Sequence, residues 1–210
     1  MAKRRLNDKG ARVLVKGSNG TAEKREDPRV KCTRGLIVRA FGELVMEKCH
    51  RGLTVQEIAE RATVNRATFY DHFRGQYELL DYFISEAFRE ELRRRLPEKP
   101  GLDDESLKAL VLATCDFLSE LETGCRHSAR QFKPLIEAQV PSELYKLLLG
   151  WIEALPHKAN DRPADPEVTA SVVSWAIFGA GVRWSRDGAV ESEERFADQV
   201  ISVIDEGLHL

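Results

Sequence analysis

This sequence of 210 residues predicts an all-α fold: a small three-helix N-terminal head followed by a larger helical body. Three observations carry that reading. Apolar residues recur at i, i+3, i+4 and i+7 along the chain, the spacing that lines one face of a helix. No stretch alternates apolar and polar residues in the manner of a half-buried strand, and no internal repeat is visible. Proline, glycine and polar clusters at 97–100, 156–166 and 187–188 separate stretches of helix length.

Residues 1–27 are rich in Lys, Arg, Gly, Ser and Asn and lack periodicity, which predicts a basic, flexible arm. Such an arm can track phosphates or enter a minor groove; an equally good reading is a solubilising tail. The head should occupy 28–75. Its first helix runs from near Pro28 to Cys49, with Leu36, Ile37, Ala40, Phe41, Leu44 and Val45 inward, and His50-Arg51-Gly52 ends it. A connecting fourth helix should fill 76–100, from about Gln76 to Leu96, with Leu79, Leu80, Phe83, Ile84 and Phe88 inward and Pro97 and Pro100 as its stop.

The body, 101–210, opens with a helix over 104–121 carrying Leu107, Leu110, Val111, Phe117 and Leu118. Two further helices are expected at 126–139 and 142–155, separated by Pro141. A Pro-rich loop follows at 156–166, then a helix over 166–186 and a last one over 191–207. In these last two, small residues (Ala176, Gly179, Ala180, Gly181) sit beside Val168, Val172, Trp175 and Val182, while Phe196, Val200, Val203 and Ile204 form a stripe. Small residues admit the close approach of another helix. The pattern predicts pairing with a second copy as a four-helix interface, through Trp175, Gly179, Val182, Phe196, Val200 and Val203.

Composition bounds the class. Charged residues at 31% and apolar ones at 42% describe an ordinary globular chain, with no apolar run of membrane-spanning length and no secretory leader, so a cytoplasmic location is expected. The net charge of −2 conceals a gradient. Residues 1–34 hold 11 Lys/Arg against 4 Asp/Glu, 35–95 hold 10 of each, and 96–210 hold 11 against 20. A basic front and an acidic back suit a head that approaches nucleic acid and a body that does not. The four cysteines form no CxxC pair, which points to reduced, packed thiols rather than disulfides, metal ligation or a redox switch.

The most specific stretch is 54–73, TVQEIAERATVNRATFYDHF. Thr54 followed by Glu57 makes a capping box. Ile58, Ala59 and Ala62 fall on one face, Val64 is the apolar residue of a turn, and Asn65 can cap a second short helix. On that helix Phe69 and Phe73 point inward, leaving Arg66, Ala67, Thr68, Tyr70, Asp71 and His72 as a small and polar face. That is the layout of a helix-turn-helix whose second helix enters a major groove. Arg66 can give two hydrogen bonds to a guanine, Ala67 can meet a thymine methyl, and Thr68 can reach a base or a phosphate. Tyr70, His72, Arg74 and Gln76 suit phosphates, as does the Thr54 hydroxyl; Gln56 and Asn65 complete the set of candidate DNA contacts.

Through Thr54, Ile58-Ala59, Ala62, Val64, Ala67-Thr68-Phe69-Tyr70, His72-Phe73 and Glu78-Leu79-Leu80, the chain resembles the TetR family of bacterial transcriptional regulators over about 29–88. It departs from the family at Thr63, where a glycine is usual, and a non-glycine residue there needs a strained or altered turn. The resemblance implies a double-stranded DNA operator, dimerisation through the C-terminal helices, and a repressor released when a small, often hydrophobic effector binds the body and tilts the fourth helix. Phe117, Phe132, Trp151, Trp175 and Phe178 are the candidate effector contacts, with Cys115, His127 and Arg130 as polar partners. No cofactor or metal is expected: the five histidines are scattered, and there is no Gly-rich phosphate loop, His-x-x-x-His or Gly-x-Ser-x-Gly to suggest an enzyme. The alternative is a TetR-like co-activator or ligand-binding protein that does not itself read DNA, against which Arg66 and the basic arm argue.

Overall fold

A computed structural model describes residues 27–48, 53–124, 126–155, 165–187 and 192–208. Among these residues there are helices and no strands: α1 (Pro28–Lys48), α2 (Val55–Arg61), α3 (Arg66–His72), α4 (Gln76–Arg95), α5 (Asp104–Gly124), α6 (Arg126–Glu153), α7 (Pro166–Asp187) and α8 (Glu193–Leu208). The basic arm at 1–26, Cys49, Cys125, the His50-Arg51-Gly52 stop, most of the 156–166 loop, and the side chains of His127 and Arg130 lie outside the described residues.

In the head, α2 and α3 have only seven residues each, too few to be stable as isolated helices. They persist because Ile58 and Phe69 are fully buried against Ile37 and Phe41 of α1 and Leu79 of α4. Leu36 corrects the expected inward face of α1, since it is exposed. Ile37, Ala40, Phe41, Leu44 and Val45 already complete an i, i+3, i+4 stripe, and Leu36 lies about 100° round the helix from Ile37. α4 joins this core edge-on: the Phe83 ring meets Phe41 at 5.4 Å and lies over Gly42, where a Cβ would stand 2.9 Å from it.

The body packs α7 across α5 and α6, with α8 against α5. Expected as two helices broken at Pro141, α6 is one, with Pro134 and Pro141 inside it. Each proline removes a helix hydrogen bond and costs about 3 kcal/mol in a helix interior. Phe132, Ile136, Val140, Leu144 and Leu148, all buried, recur every fourth residue straight through both prolines. Burying a large apolar side chain contributes about 1.5–3 kcal/mol, so this stripe outweighs the local preference to break. Gly181 faces inward: a Cβ there would stand 2.7 Å from Thr114 Cγ2, so the helix that approaches it is the chain's own α5. Cys115 is fully buried, and burial first, then Glu193 and Asp116, push its thiol up to about 12, which leaves it an inert core group.

Candidate nucleic-acid interface

The turn between α2 and α3 decides where the outward face of α3 points. Thr54 caps α2 in a complete capping box: its Oγ1 accepts from the Glu57 N–H at 3.2 Å, and its own N–H donates to Glu57 Oε2 at 2.9 Å. The Thr54 hydroxyl also donates to that carboxylate at 3.0 Å, so it serves the cap rather than standing free for a phosphate. At the other end the Thr63 N–H donates to the Glu60 carbonyl at 3.1 Å and the Val64 N–H to the Ala59 carbonyl at 3.0 Å. This is a Schellman closure, whose left-handed position is usually glycine. Thr63 occupies it with φ 57°, a strained conformation for a β-branched residue.

α3 then starts on Asn65, whose Oδ1 accepts from the Thr68 N–H at 2.7 Å. Phe69 and Phe73 are buried, 6.0 Å apart between ring centroids, and pin one side of α3 to the head core. The opposite side presents Arg66, Ala67, Tyr70 and Asp71 to solvent. Thr68 and His72 are half-buried, and His72 turns a buried Nδ1 inward that has no hydrogen-bond partner. Of the expected contacts, Arg66, Ala67 and Tyr70 therefore share one exposed face, while Asn65 works as a cap. Gln56 is exposed on α2, with Nε2 donating to Glu60 Oε1 at 2.9 Å. Beyond α3, Arg74 is exposed, its backbone N–H donating to Glu78 Oε2 at 2.6 Å, and Gln76 is half-buried.

Ion pairs hold the motif against α1. Arg61 reaches Glu47 at 2.8 Å and Glu43 at 3.5 Å, and Lys48 pairs with Glu57. The hydrogen bond from Arg61 holds the Glu47 carboxyl below its ordinary value, and those from Lys48 and Thr54 do the same for Glu57. All of these groups remain hydrated, so the pairs orient α2 more than they stabilise it.

Two features beside α3 carry no signal in the helix-turn-helix pattern. Tyr77, in the first turn of α4, is 80% exposed. Between α1 and α4 a cleft of about 520 Å³ is bordered by Lys31, Arg34 and Arg39 over Val38 and Phe83, with the Arg34 guanidinium 5.7 Å from the Tyr82 ring. Tyr82 in turn packs on Phe73 at 5.6 Å, which links these cations to the end of α3. Only three-dimensional proximity joins residues so far apart in sequence.

The expected body contacts separate into two groups. Phe117, Phe132 and Phe178 are buried and Trp151 is half-buried; Phe117 stacks on Phe88 of α4 at 5.2 Å. Trp175 is 55% exposed on the outside of α7, touching Phe178 edge-on at 5.8 Å, and this corrects its placement among residues lining an interior. A second cleft, about 590 Å³ between α5 and α8, is bordered by Asp104, Glu105, Lys108, Asp198 and Asp205 and by none of the five aromatics. Of the expected pairing residues, Trp175, Gly179 and Val203 are exposed, and Val182, Phe196 and Val200 are half-buried, Phe196 lying 4.9 Å from the Trp184 ring. Val168 and Val172 extend the exposed strip of α7, so that 168, 172, 175 and 179 recur at spacings of four and three.

Residues 33–83 match the family model described as bacterial regulatory proteins, tetR family. Over 189 residues the chain is 26% identical to YxbF, an uncharacterised HTH-type transcriptional regulator of Bacillus subtilis strain 168, a match covering 87% of this chain and 47% of that protein. Over 58 residues it is 33% identical to DhaS, the dhaKLM operon transcriptional activator of Lactococcus lactis subsp. lactis strain IL1403, covering 28% of this chain and 31% of that one. These matches thus span about half or less of the relatives' own length. Among solved structures, a dihydroxyacetone kinase operon activator, DhaS, aligns with a TM-score of 0.52 at 18% identity, over 84% of this chain and 96% of that one. RolR in complex with resorcinol aligns with a TM-score of 0.50 at 16% identity, over 83% and 88%. At these identities the structural matches show a shared fold.

Proposed function

From the premise that this chain belongs to the TetR family of bacterial transcriptional regulators, we propose that it is a sequence-specific DNA-binding regulator: a repressor that leaves its operator when a small molecule binds the body. One observation carries the reading. The face of α3 bearing Arg66, Ala67 and Tyr70 is exposed, while Phe69 and Phe73 fix its other side in the core. A short helix held rigidly with a small and polar face outward is what major-groove reading requires. Arg66 reads a base, Ala67 permits close approach, and Tyr70, Arg74 and Tyr77 hold phosphates. Lys31, Arg34 and Arg39 extend the basic surface along α1.

One such helix gives little affinity, so the active species is a twofold dimer. The exposed strip Val168, Val172, Trp175 and Gly179 on α7, with Val203 on α8, supports that pairing, because large apolar side chains are exposed side by side there. In support of an effector site in the body, RolR, which shares the fold, was solved with resorcinol bound.

The test is binding to duplexes from the region upstream of the protein's own gene, at several salt concentrations. Affinity should fall steeply as salt rises, because phosphate contacts release counterions, and one duplex should be preferred over random sequence. A response flat with salt, or no preference among sequences, overturns the reading. Deleting the gene should raise expression from the bound promoter; a fall would make the protein an activator.

A further inference from the structure

α4 is the only helix that belongs to both cores, and its grip on the body is distributed in a telling way. At its C-terminal end Arg95 is paired with Asp116 of α5 and lies 3.8 Å from Glu193 of α8, which ties that end to two body helices. Towards its middle, α4 touches α6 through two polar contacts. The Ser85 hydroxyl donates to Gln139 Oε1 at 3.1 Å, and the Arg89 guanidinium takes Glu143 side-on, Nε to Oε2 at 2.7 Å and Nη2 to Oε1 at 2.9 Å. Glu143 is almost wholly buried, and Lys146 adds a third hydrogen bond to it at 2.8 Å. Burial alone would push its carboxyl up, yet the hydrogen bonds from Arg89 and Lys146 bring it below the ordinary value. Glu143 is therefore a charge that depends on α4 staying where it is.

The two α6 partners, Gln139 and Glu143, straddle Pro141. Proline has no N–H, so the helix bond that would reach the Glu137 carbonyl is missing there, and α6 can bend at that point more easily than elsewhere. We propose that the Arg89–Glu143 pair is the drive point through which α6 sets the angle of α4, with Pro141 as the bend that lets α6 move it. Arg89 and Glu143 are thus positioning residues for the DNA-reading head, a role that rests on the function proposed above. The geometry is that of a lever. With the anchor at Arg95, the drive point at Arg89 and the head at Gln76, a helix rise of 1.5 Å per residue puts the head about three times as far from the anchor as the drive point. A shift of about 1 Å at Glu143 becomes about 3 Å at the head, comparable to the steps by which a recognition helix leaves register with its groove.

The test uses the full-length protein, binding measured by fluorescence anisotropy on the duplex preferred upstream of its own gene, with thermal melting of the same samples. Glu143→Gln and Arg89→Lys each break the bidentate charge pair; the swap Arg89→Glu with Glu143→Arg rebuilds it with reversed polarity. Expected is a rise in Kd of about ten-fold for each single variant, at temperatures where helicity equals wild type, and recovery to within about three-fold in the swap. Single variants that melt lower but bind DNA within two-fold of wild type would make the pair merely structural and overturn the proposal. So would a swap that regains stability without regaining affinity. Failure of the wild type to bind any duplex is a different result: it removes the DNA-reading function itself, and the positioning role with it.

Discussion

Replacing Thr63 with glycine should stabilise the head, because the turn into α3 demands a conformation that threonine resists. Thr63 stands at φ 57°, and both closing hydrogen bonds of the turn, Thr63 to Glu60 and Val64 to Ala59, require it there. Holding an L-residue in the left-handed region costs roughly 1–2 kcal/mol. Glycine avoids that cost but gives up about 0.5–1 kcal/mol through the greater freedom of its unfolded chain. Thr63 is exposed, so little packing is lost with its side chain. The net expectation is a gain of about 0.5–1 kcal/mol, which for a chain of 210 residues corresponds to roughly 1–4 °C in Tm. The assay is thermal and urea unfolding of wild type, Thr63→Gly and Thr63→Ala at one protein concentration. Alanine keeps the Cβ and the strain, so it should not reproduce the gain. A Thr63→Gly protein no more stable than wild type, or an alanine variant stabilised equally, would refute the claim that backbone strain is stored at this turn. DNA affinity should stay within about two-fold throughout, since the same hydrogen bonds place α3 in every variant.

Further outcomes follow from other sites. Arg66→Ala should relax preference at one base pair by roughly 1–3 kcal/mol in competition binding against singly substituted duplexes, leaving the other positions unchanged. Tyr77→Ala should leave Tm unaltered, since the side chain is 80% exposed, yet weaken every duplex alike by about 1 kcal/mol. Gly181→Ala forces a methyl to within 2.7 Å of Thr114, whose hydroxyl is tied to the Leu110 carbonyl, and should cost about 1–3 kcal/mol in urea unfolding. Gly150→Ala, which has open space around it, should gain up to about 1 kcal/mol from helix propensity in the same assay. For pH, the folded protein holds the Glu143 carboxyl below 4.5, so its contribution is fully present above that value and is lost as pH falls through it. Melting curves between pH 6 and pH 3 should therefore fall less steeply for Glu143→Gln than for wild type; equal slopes would show that the pair does not bind protons differently in the folded and unfolded chain.

The parts of this molecule that were legible in its sequence are those governed by short-range rules. The capping box at Thr54 and Glu57, the cap at Asn65, the inward pair Phe69 and Phe73, and the strain at Thr63 all involve residues within a few positions of each other, where residue type alone constrains geometry. The same locality explains what was missed. Pro141 reads as a helix end because the opposing term, a stripe buried against three other helices, is tertiary. Leu36 and Ile37 are both apolar, and only packing decides which of two adjacent positions faces the core. At the interface, Arg66 was visible within a motif, whereas Tyr77 and the cations of the α1–α4 cleft belong to no motif and come beside α3 only through the Tyr82–Phe73 contact.

The chain has three tryptophans, and each meets solvent to a different degree: Trp184 is buried, Trp151 half-buried and Trp175 more than half exposed. Because Trp175 sits on the very strip of α7 that would meet a second copy, its indole emission should move to the blue on dilution-reversible self-association while that of Trp184 stays put. The protein thus contains an optical gauge of its own assembly, readable without a dye or a tag.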